Sequence, residues 1–325
     1  MRIFNLRRLG QSNLMASPIG LGCWQFSKGS GLAGKYWPVL TDDEIQKIVA
    51  VSLEGGLNWF DTAESYGMGQ SEKALSQALK SLGQRREEVI IATKWLPLFR
   101  TSRSITKTID ERLKNLGGTP IDLHQIHHPF AFSSTKAQMK AMARLVENQK
   151  IRFIGVSNFS AEKMRKAHKV LAEFGLPLVS NQVRYNLLNR KIETNGILDT
   201  ARELGISIIA YSPLAQGILS GKFHKDLNLI KRSSGYRKYM GMFKAKGLEK
   251  SRPVIHALKE LAQKYQATPS QIALNWLIHF QGDIVVAIPG ATKVHQATEN
   301  AGAMAFRLTP DDLDYLDQIS SPFRI

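Results

Sequence analysis

Short apolar runs alternate along the chain with longer stretches in which apolar residues recur every three or four positions. The first pattern predicts strands and the second amphipathic helices. Strands are expected at Ile19–Trp24, Leu57–Asp61, Val89–Lys94, Ile121–His127, Arg152–Ser157, Val179–Val183, Ser207–Tyr211 and Ile284–Ile288. Helices between them include Asp42–Leu53, Ser71–Leu82, Ser104–Leu116, Lys136–Asn148, Ala161–Glu173, Thr194–Leu204 and Pro269–Phe280. Gly55-Gly56, Gly117-Gly118, Gly175 and Gly205 punctuate the junctions, as expected where a helix ends in a left-handed turn. Eight strands in β-then-α order predict an α/β fold, a closed (β/α)8 TIM barrel rather than an open sheet. No linker rich in Pro, Gly or Ser divides the chain, so residues 1–325 are expected to form one barrel domain.

Three segments fall outside this alternation. Arg2–Leu9 and Leu14–Ala16, around Gly10-Gln11-Ser12-Asn13, read as a β-hairpin that plugs the barrel floor. Ser27–Leu40 follows the first strand and Leu214–Ser251 the seventh. Long loops on the C-terminal face of a barrel usually shape its site.

Charge changes the picture in one place. The net charge is +17, and residues 222–252 carry ten Lys or Arg against Asp226 and Glu249. Such a cluster can meet nucleic acid, an anionic membrane or a polyanionic cofactor, or it can be a solvated loop. No nucleic-acid recognition motif accompanies it, so no nucleic acid partner is expected. The single cysteine, Cys23, excludes an internal disulfide framework and a Cys-rich zinc site, and fits a reducing compartment. No secretory h-region and no membrane-spanning apolar run are visible, so a cytoplasmic protein without membrane association is expected.

The candidate chemistry lies at strand ends. Asp61 closes the second strand and Tyr66 follows it; Lys94 closes the third; His127 closes the fourth; Gly155-Val156-Ser157-Asn158-Phe159 closes the fifth. A buried Lys beside a Tyr favours the phenolate, so it is expected to lower the phenol's pKa and make Tyr66 a general acid near neutral pH. Asp61 would hold Lys94 charged and aimed, and His127 would orient a carbonyl oxygen. No side chain donates hydride, so carbonyl reduction would need a cofactor. Taken singly, Asp61 also reads as a strand-end cap, Tyr66 as a packed loop aromatic, and His127 and His128 as structural. A metal site on His124, His127 and His128 is disfavoured, because adjacent strand positions point to opposite faces; no metal is expected.

As a set these segments resemble the aldo-keto reductase superfamily. The resemblance is carried by Gly20-Leu21-Gly22 with Trp24, Asn58–Gly67, Thr93-Lys94, Asp122–Pro129, Ile154–Phe159, Asn181–Asn186, Ala210–Leu214 and Ile288–Gly290, and it runs from about residue 3 to 320. It implies NAD(P)H-dependent reduction of an aldehyde or ketone, with the family's tetrad on Asp61, Tyr66, Lys94 and His127. His127 is preferred to His128 because the family's His precedes one variable residue and then Pro, here Pro129. The resemblance also implies a nicotinamide cofactor on the barrel mouth. Ser157, Asn158 and Gln182 match the positions holding the carboxamide, and Tyr211 the ring stacking on the nicotinamide. Asn158 by itself also reads as a helix cap. Gly20-Leu21-Gly22 lacks the third glycine of a dinucleotide fingerprint and is not a Rossmann signal.

The segment from Ser212, Pro213 and Leu214 through Gly217 and Gly221 to Lys222 resembles the pyrophosphate loop of part of the family. The segment from Gly290 and Lys293 through Gln296, Glu299 and Asn300 matches the site of the 2′-phosphate and adenine. Some relatives carry basic residues where this chain has Gly290 and Gln296, which leaves Lys293. NADP(H) is therefore favoured over NAD(H). Trp24, Phe26, Tyr36, Trp37, Trp95 and His128 are expected to line a pocket for an apolar or aromatic carbonyl substrate. The alternative reading is a cofactor-binding regulatory subunit with slow or vestigial turnover, as in some relatives.

Overall fold

The structure, a computed structural model, describes residues 6–231 and 239–325. The stretch Arg2–Asn5 of the expected hairpin, and Arg232, Arg237 and Lys238 of the basic cluster, lie outside the described residues.

The hairpin strands β1 (Arg7–Arg8) and β2 (Met15–Ala16) pair antiparallel. The barrel strands follow: β3 (Leu21–Gly22), β4 (Trp59–Asp61), β5 (Ile90–Trp95), β6 (Ile121–Ile126), β7 (Ile151–Ser157), β8 (Leu178–Arg184), β9 (Ser207–Tyr211) and β10 (Val285–Ala287). They form one parallel sheet in sequence order, and parallel bridges Ile19–Ala287 and Gly22–Gly290 join its two ends. The backbone bonds Gly20 N–H to Ala287 O (2.9 Å) and Gly22 N–H to Pro289 O (3.0 Å) close the barrel. The glycines make that seam possible. A Cβ on Gly20 would sit 2.3 Å from the Trp59 ring, and one on Gly22 would sit 2.8 Å from the Ile288 carbonyl oxygen.

Burial follows the period of each element. The barrel interior is filled by Trp59, Ile90, Ala92, Leu123, Val179, Ile209 and Val286, and the hairpin adds Leu9 and Leu14 to the same cluster from below. The hairpin is tied there by Gly10 N–H donating to Ser207 Oγ (2.7 Å). The outward strand residues pack against the apolar faces of the surrounding helices. Among these are Asp42–Glu54 and Pro269–His279, opened by reciprocal capping boxes at Thr41/Glu44 and Thr268/Gln271.

One expectation fails. The last residues of the anticipated insertion Leu214–Ser251 belong to a twenty-residue helix, Ala245–Lys264. Gly247 and Pro253 inside it are helix-breaking signals, but Leu248, Val254, Ile255, Leu258 and Leu261 recur at helical spacing and are buried. Lys246, Lys250 and Arg252 of the basic cluster therefore stand on a helix rather than a loop. Among the described residues no helix is long and apolar enough to cross a membrane.

Candidate active site

The interior positions change character on the way up the barrel. Side chains two apart on a strand share a face, so the apolar layer is continued by a polar one: Trp59 by Asp61, Ala92 by Lys94, Leu123 by Gln125, Ile209 by Tyr211. This layer opens into a cavity of about 1470 Å³ at the C-terminal mouth.

Lys94 has no exposed side-chain surface. Its ammonium donates to Asp61 Oδ1, to the Thr62 carbonyl (2.8 Å) and toward the Tyr66 hydroxyl (3.4 Å). Asp61 Oδ2 accepts from the side-chain amides of Gln125 (3.1 Å) and Gln182 (2.8 Å). Tyr66 lies in the turn between β4 and the helix Gln70–Ser81. That turn rests on Ser27 so closely that a Cβ on Gly67, at φ +64°, would meet the Ser27 carbonyl at 2.2 Å. Trp24 stacks on the Tyr66 ring at 6.0 Å between centroids, and His127 meets it edge-on at 5.7 Å. His127 stacks in turn on His128 at 4.8 Å, and its Nδ1 lies 3.4 Å from Ser65 Oγ.

Burial dominates the electrostatics. It raises the Tyr66 phenol above its ordinary range, outweighing the nearby Lys94 charge, which acts to lower it. This corrects the expectation of a lowered phenol. Burial alone would lower the Lys94 ammonium, but the Asp61 charge, with Tyr66, carries it above its usual value. His127 is driven well below the ordinary imidazole range by burial, then by Lys94 and His128, so it is neutral at physiological pH. The group is thus an Asp⁻–Lys⁺ pair, a protonated phenol and a neutral imidazole around one end of the cavity.

The expected carboxamide group comes together at the ends of β7–β9. Ser157 Oγ donates to the Gln182 carbonyl (2.9 Å). The Asn158 side-chain amide nitrogen reaches Ser157 Oγ at 3.0 Å and the His127 carbonyl at 3.3 Å, while its Oδ1 accepts from the Tyr211 hydroxyl (3.0 Å). Asn158 adopts φ +60°, a left-handed conformation that Asn tolerates better than most residues. The cap of the following helix is Ser160, not Asn158.

Ser212, Pro213, Leu214, Gly217 and Lys222 line the cavity on one side. Gly290, Lys293, Gln296, Glu299 and Asn300 line it on the other. A Cβ at Gly290 would lie 2.1 Å from the amide end of the Gln25 side chain, so a larger residue there would need Gln25 to move. Gln296 accepts from the Thr292 N–H (2.8 Å), closing the first turn of helix Val294–Gly302. Gly221 is not among the lining residues.

Of the six residues expected to line the substrate pocket, Trp24, Trp37 and His128 do so, and Phe26, Tyr36 and Trp95 do not. Trp95 faces the helix side, its Nε1 donating to Ser104 Oγ (3.0 Å), and Phe26 is fully buried in the outer core. Tyr36 stands behind Trp24, stacked at 4.8 Å, with its hydroxyl bonded to Gln216, so that the two insertions meet there.

Several lining groups escaped the sequence reading: Gln25, Arg184, Thr268, Ser270 and His295. Gln25 Oε1, Arg184 Nε and Asn300 Nδ2 are buried without a protein partner. The N-termini of helices Pro269–His279 and Val294–Gly302 both reach the cavity, and the positive ends of their dipoles attract anions. Arg184 Nε, Asn300 Nδ2, two helix N-termini and Lys222 and Lys293 are a donor set that fits a phosphate-bearing dinucleotide. The volume exceeds what one small ligand fills.

A cavity at the C-terminal mouth of a parallel barrel is where enzymes of this architecture keep their active sites. Residues 18–321 match the aldo/keto reductase family, and the chain belongs to that family of oxidoreductases. An uncharacterized oxidoreductase of Mycobacterium bovis is 35% identical over 325 residues, covering 100% of this chain and 94% of its own. A glycerol dehydrogenase from Gluconobacter oxydans superposes with a TM-score of 0.84 at 27% identity, over 98% of this chain and 96% of that one. An aldo/keto reductase from Klebsiella pneumoniae, solved with NADP and acetate, superposes with a TM-score of 0.73 at 25% identity, over 98% and 96%.

Proposed function

We propose that the protein reduces an aldehyde or ketone to an alcohol, using NADP(H) in preference to NAD(H), with Tyr66 as the general acid. The observation that carries this reading is the buried Asp61–Lys94 pair leading to Tyr66, whose ring lines the cavity. The NADP-bound Klebsiella relative supports the cofactor choice, as does Lys293 at the start of the helix Val294–Gly302.

A reduced nicotinamide, when bound, supplies the hydride. Asn158, Ser157 and Gln182 would hold its carboxamide, Tyr211 would pack on its ring, and Lys222 and Lys293 would neutralise phosphate charge. Tyr66 and the neutral His127 converge on the substrate oxygen and orient the carbonyl. The raised phenol keeps its proton through neutral pH and releases it only to a stronger base, the alkoxide formed as reduction proceeds. The Lys94 ammonium then stabilises the resulting phenolate, and Asp61 keeps that ammonium charged and fixed. Trp24, stacked on the Tyr66 ring, and Trp37, edge-on to Trp24, would cover the reacting end.

The test is loss of reduced-nicotinamide absorbance with NADPH or NADH and a panel of 4-nitrobenzaldehyde, methylglyoxal and pyridoxal. Oxidation that requires both protein and carbonyl, and is faster at low cofactor concentration with NADPH, is expected. Tight NADPH binding without oxidation of any member would favour a cofactor-binding regulatory subunit instead.

A further inference from the structure

The outer rim of the cavity carries exposed apolar residues on two neighbouring loops. Loops after β5 and β6 expose Leu98, Phe99, Phe130 and Phe132, which are 56, 79, 74 and 73% exposed. Folded chains rarely leave so many large apolar groups together in water without a use for them. The four stand on two loops that meet rather than at scattered points. The Phe99 and Phe132 rings are 6.3 Å apart, and Phe132 N–H donates to the Arg100 carbonyl (3.1 Å), tying one loop to the other. The Lys163 ammonium lies 5.9 Å from the Phe130 ring centre and donates to the Pro129 carbonyl (3.2 Å), steadying the second loop.

The strip is continuous with the catalytic cavity. Leu98 both lines the cavity and is exposed, and it precedes Phe99; His128 lines the cavity two residues before Phe130. Met68, 75% exposed, lines the same mouth from the Tyr66 turn. Phe99 and Met68 hold left-handed backbones, at φ +55° each, which costs energy for non-glycine residues. A path therefore leads from Tyr66 and His127, past Leu96 and Leu98, onto an exposed aromatic surface.

We propose that Leu98, Phe99, Phe130 and Phe132 are a substrate subsite for the apolar tail of a long-chain or aryl-alkyl carbonyl compound whose carbonyl end lies at Tyr66. This rests on the reductase reading and names its substrate class. A short aldehyde reaches only the cavity, whereas a longer one extends over the rim and removes apolar surface from water on both partners.

The experiment is kcat/KM for NADPH oxidation with straight-chain aldehydes from propanal to dodecanal, each below its aggregation limit, and with 4-nitrobenzaldehyde as a compact reference. Wild type is compared with the double variant Phe99→Ser/Phe132→Ser; both positions are exposed, so folding should survive. In wild type, kcat/KM should climb by about twofold per methylene beyond a threshold length, the value for a methylene half covered by protein. The climb should appear in KM. The variant should flatten it while keeping wild-type rates for propanal and 4-nitrobenzaldehyde. Absence of reduction for every compound would sink the reductase reading. Reduction of 4-nitrobenzaldehyde without any length dependence, or a slope unchanged in the variant, would overturn the subsite alone. Sedimentation of wild type but not the variant with phosphatidylcholine/phosphatidylglycerol vesicles, or a wild-type dimer that the variant dissolves, with equal slopes in both proteins, would reassign the strip to a membrane or to a second copy of the chain.

Discussion

The floor and the mouth of the barrel are built from the same eight strands and obey opposite rules. The floor is apolar: Leu9 and Leu14 of the hairpin close over Ile90, Leu123, Val179, Ile209 and Val286. Two residues further along the same strands the mouth buries a full ion pair, Asp61 and Lys94, with two glutamines spent on the carboxylate. The backbone leans the same way. Of the nine left-handed non-glycine residues among those described, seven, Lys28, Met68, Phe99, Asn158, Ser212, Ala215 and Gln216, lie on mouth loops; Gln149, just ahead of β7, lies at the floor end, and Gln266 follows the helix Ala245–Lys264. Sparsely populated conformations and buried charge are both unfavourable by themselves, and both cluster where chemistry needs groups held in place. The floor supplies the stability that the mouth uses.

The largest separation of the two regions should come from Lys94→Met. It leaves Asp61 buried without its cation, so stability should fall by about 3–5 kcal/mol, and reduction should drop by about two orders of magnitude or more. Adding Asp61→Asn should restore much of the stability seen in urea titration and none of the turnover. Recovery of turnover in the double variant would break the distinction between mouth and floor. On the floor, Leu123→Ala should cost about 2–5 kcal/mol while kcat per folded molecule stays near wild type. A tenfold loss of kcat there would show that the floor also positions the reacting groups.

Within the mouth, Lys293→Ala should raise KM for NADPH by about tenfold, the scale of one lost charge-assisted bond, and leave KM for NADH nearly unchanged. Equal changes for both cofactors would remove Lys293 from the 2′-phosphate.

The smallest effect concerns pH. Burial depresses His124 to about 3 and His279 to about 4, and drives His127 well below its ordinary range. Unfolding lets each take up a proton below its unfolded value of about 6.5, so stability should fall as pH drops through that value toward the folded ones. Glu72 acts oppositely. Burial raises it to about 7 against the pull of Arg112, so it binds its proton more tightly when folded and lowers stability as pH rises from about 4.3 to 7. Three histidines outweigh one glutamate, so the melting temperature should decline between about pH 6.5 and 4.5. In Glu72→Gln that decline should be steeper, because the opposing group is gone.

Much of this was legible in the sequence. The strands stood out because parallel barrel strands are short apolar runs, and the four polar residues because they interrupt those runs at one end. The placement of Trp95 was legible too, and was misread: the alternation that turns Lys94 inward turns its neighbour outward. Gln125 was available by the same rule, two residues from Leu123 and two from His127, but an uncharged amide in a strand carries no chemical flag. The helix Ala245–Lys264 was hidden by Gly247, Pro253 and its basic residues, which outweighed a periodic apolar face. The phenol's direction could not be read at all from residue identities. It depends on how far burial exceeds the Lys94 charge, and burial is a property of the folded mouth.

The central claim is that Tyr66 delivers the proton and does not merely fill the site. Its most direct test pairs two measurements on Tyr66→Phe: cofactor affinity from quenching of protein fluorescence by NADPH, and NADPH oxidation with 4-nitrobenzaldehyde. The account predicts cofactor affinity within about twofold of wild type and turnover reduced by about two to four orders of magnitude. Turnover close to wild type, with the cofactor still bound, would contradict it.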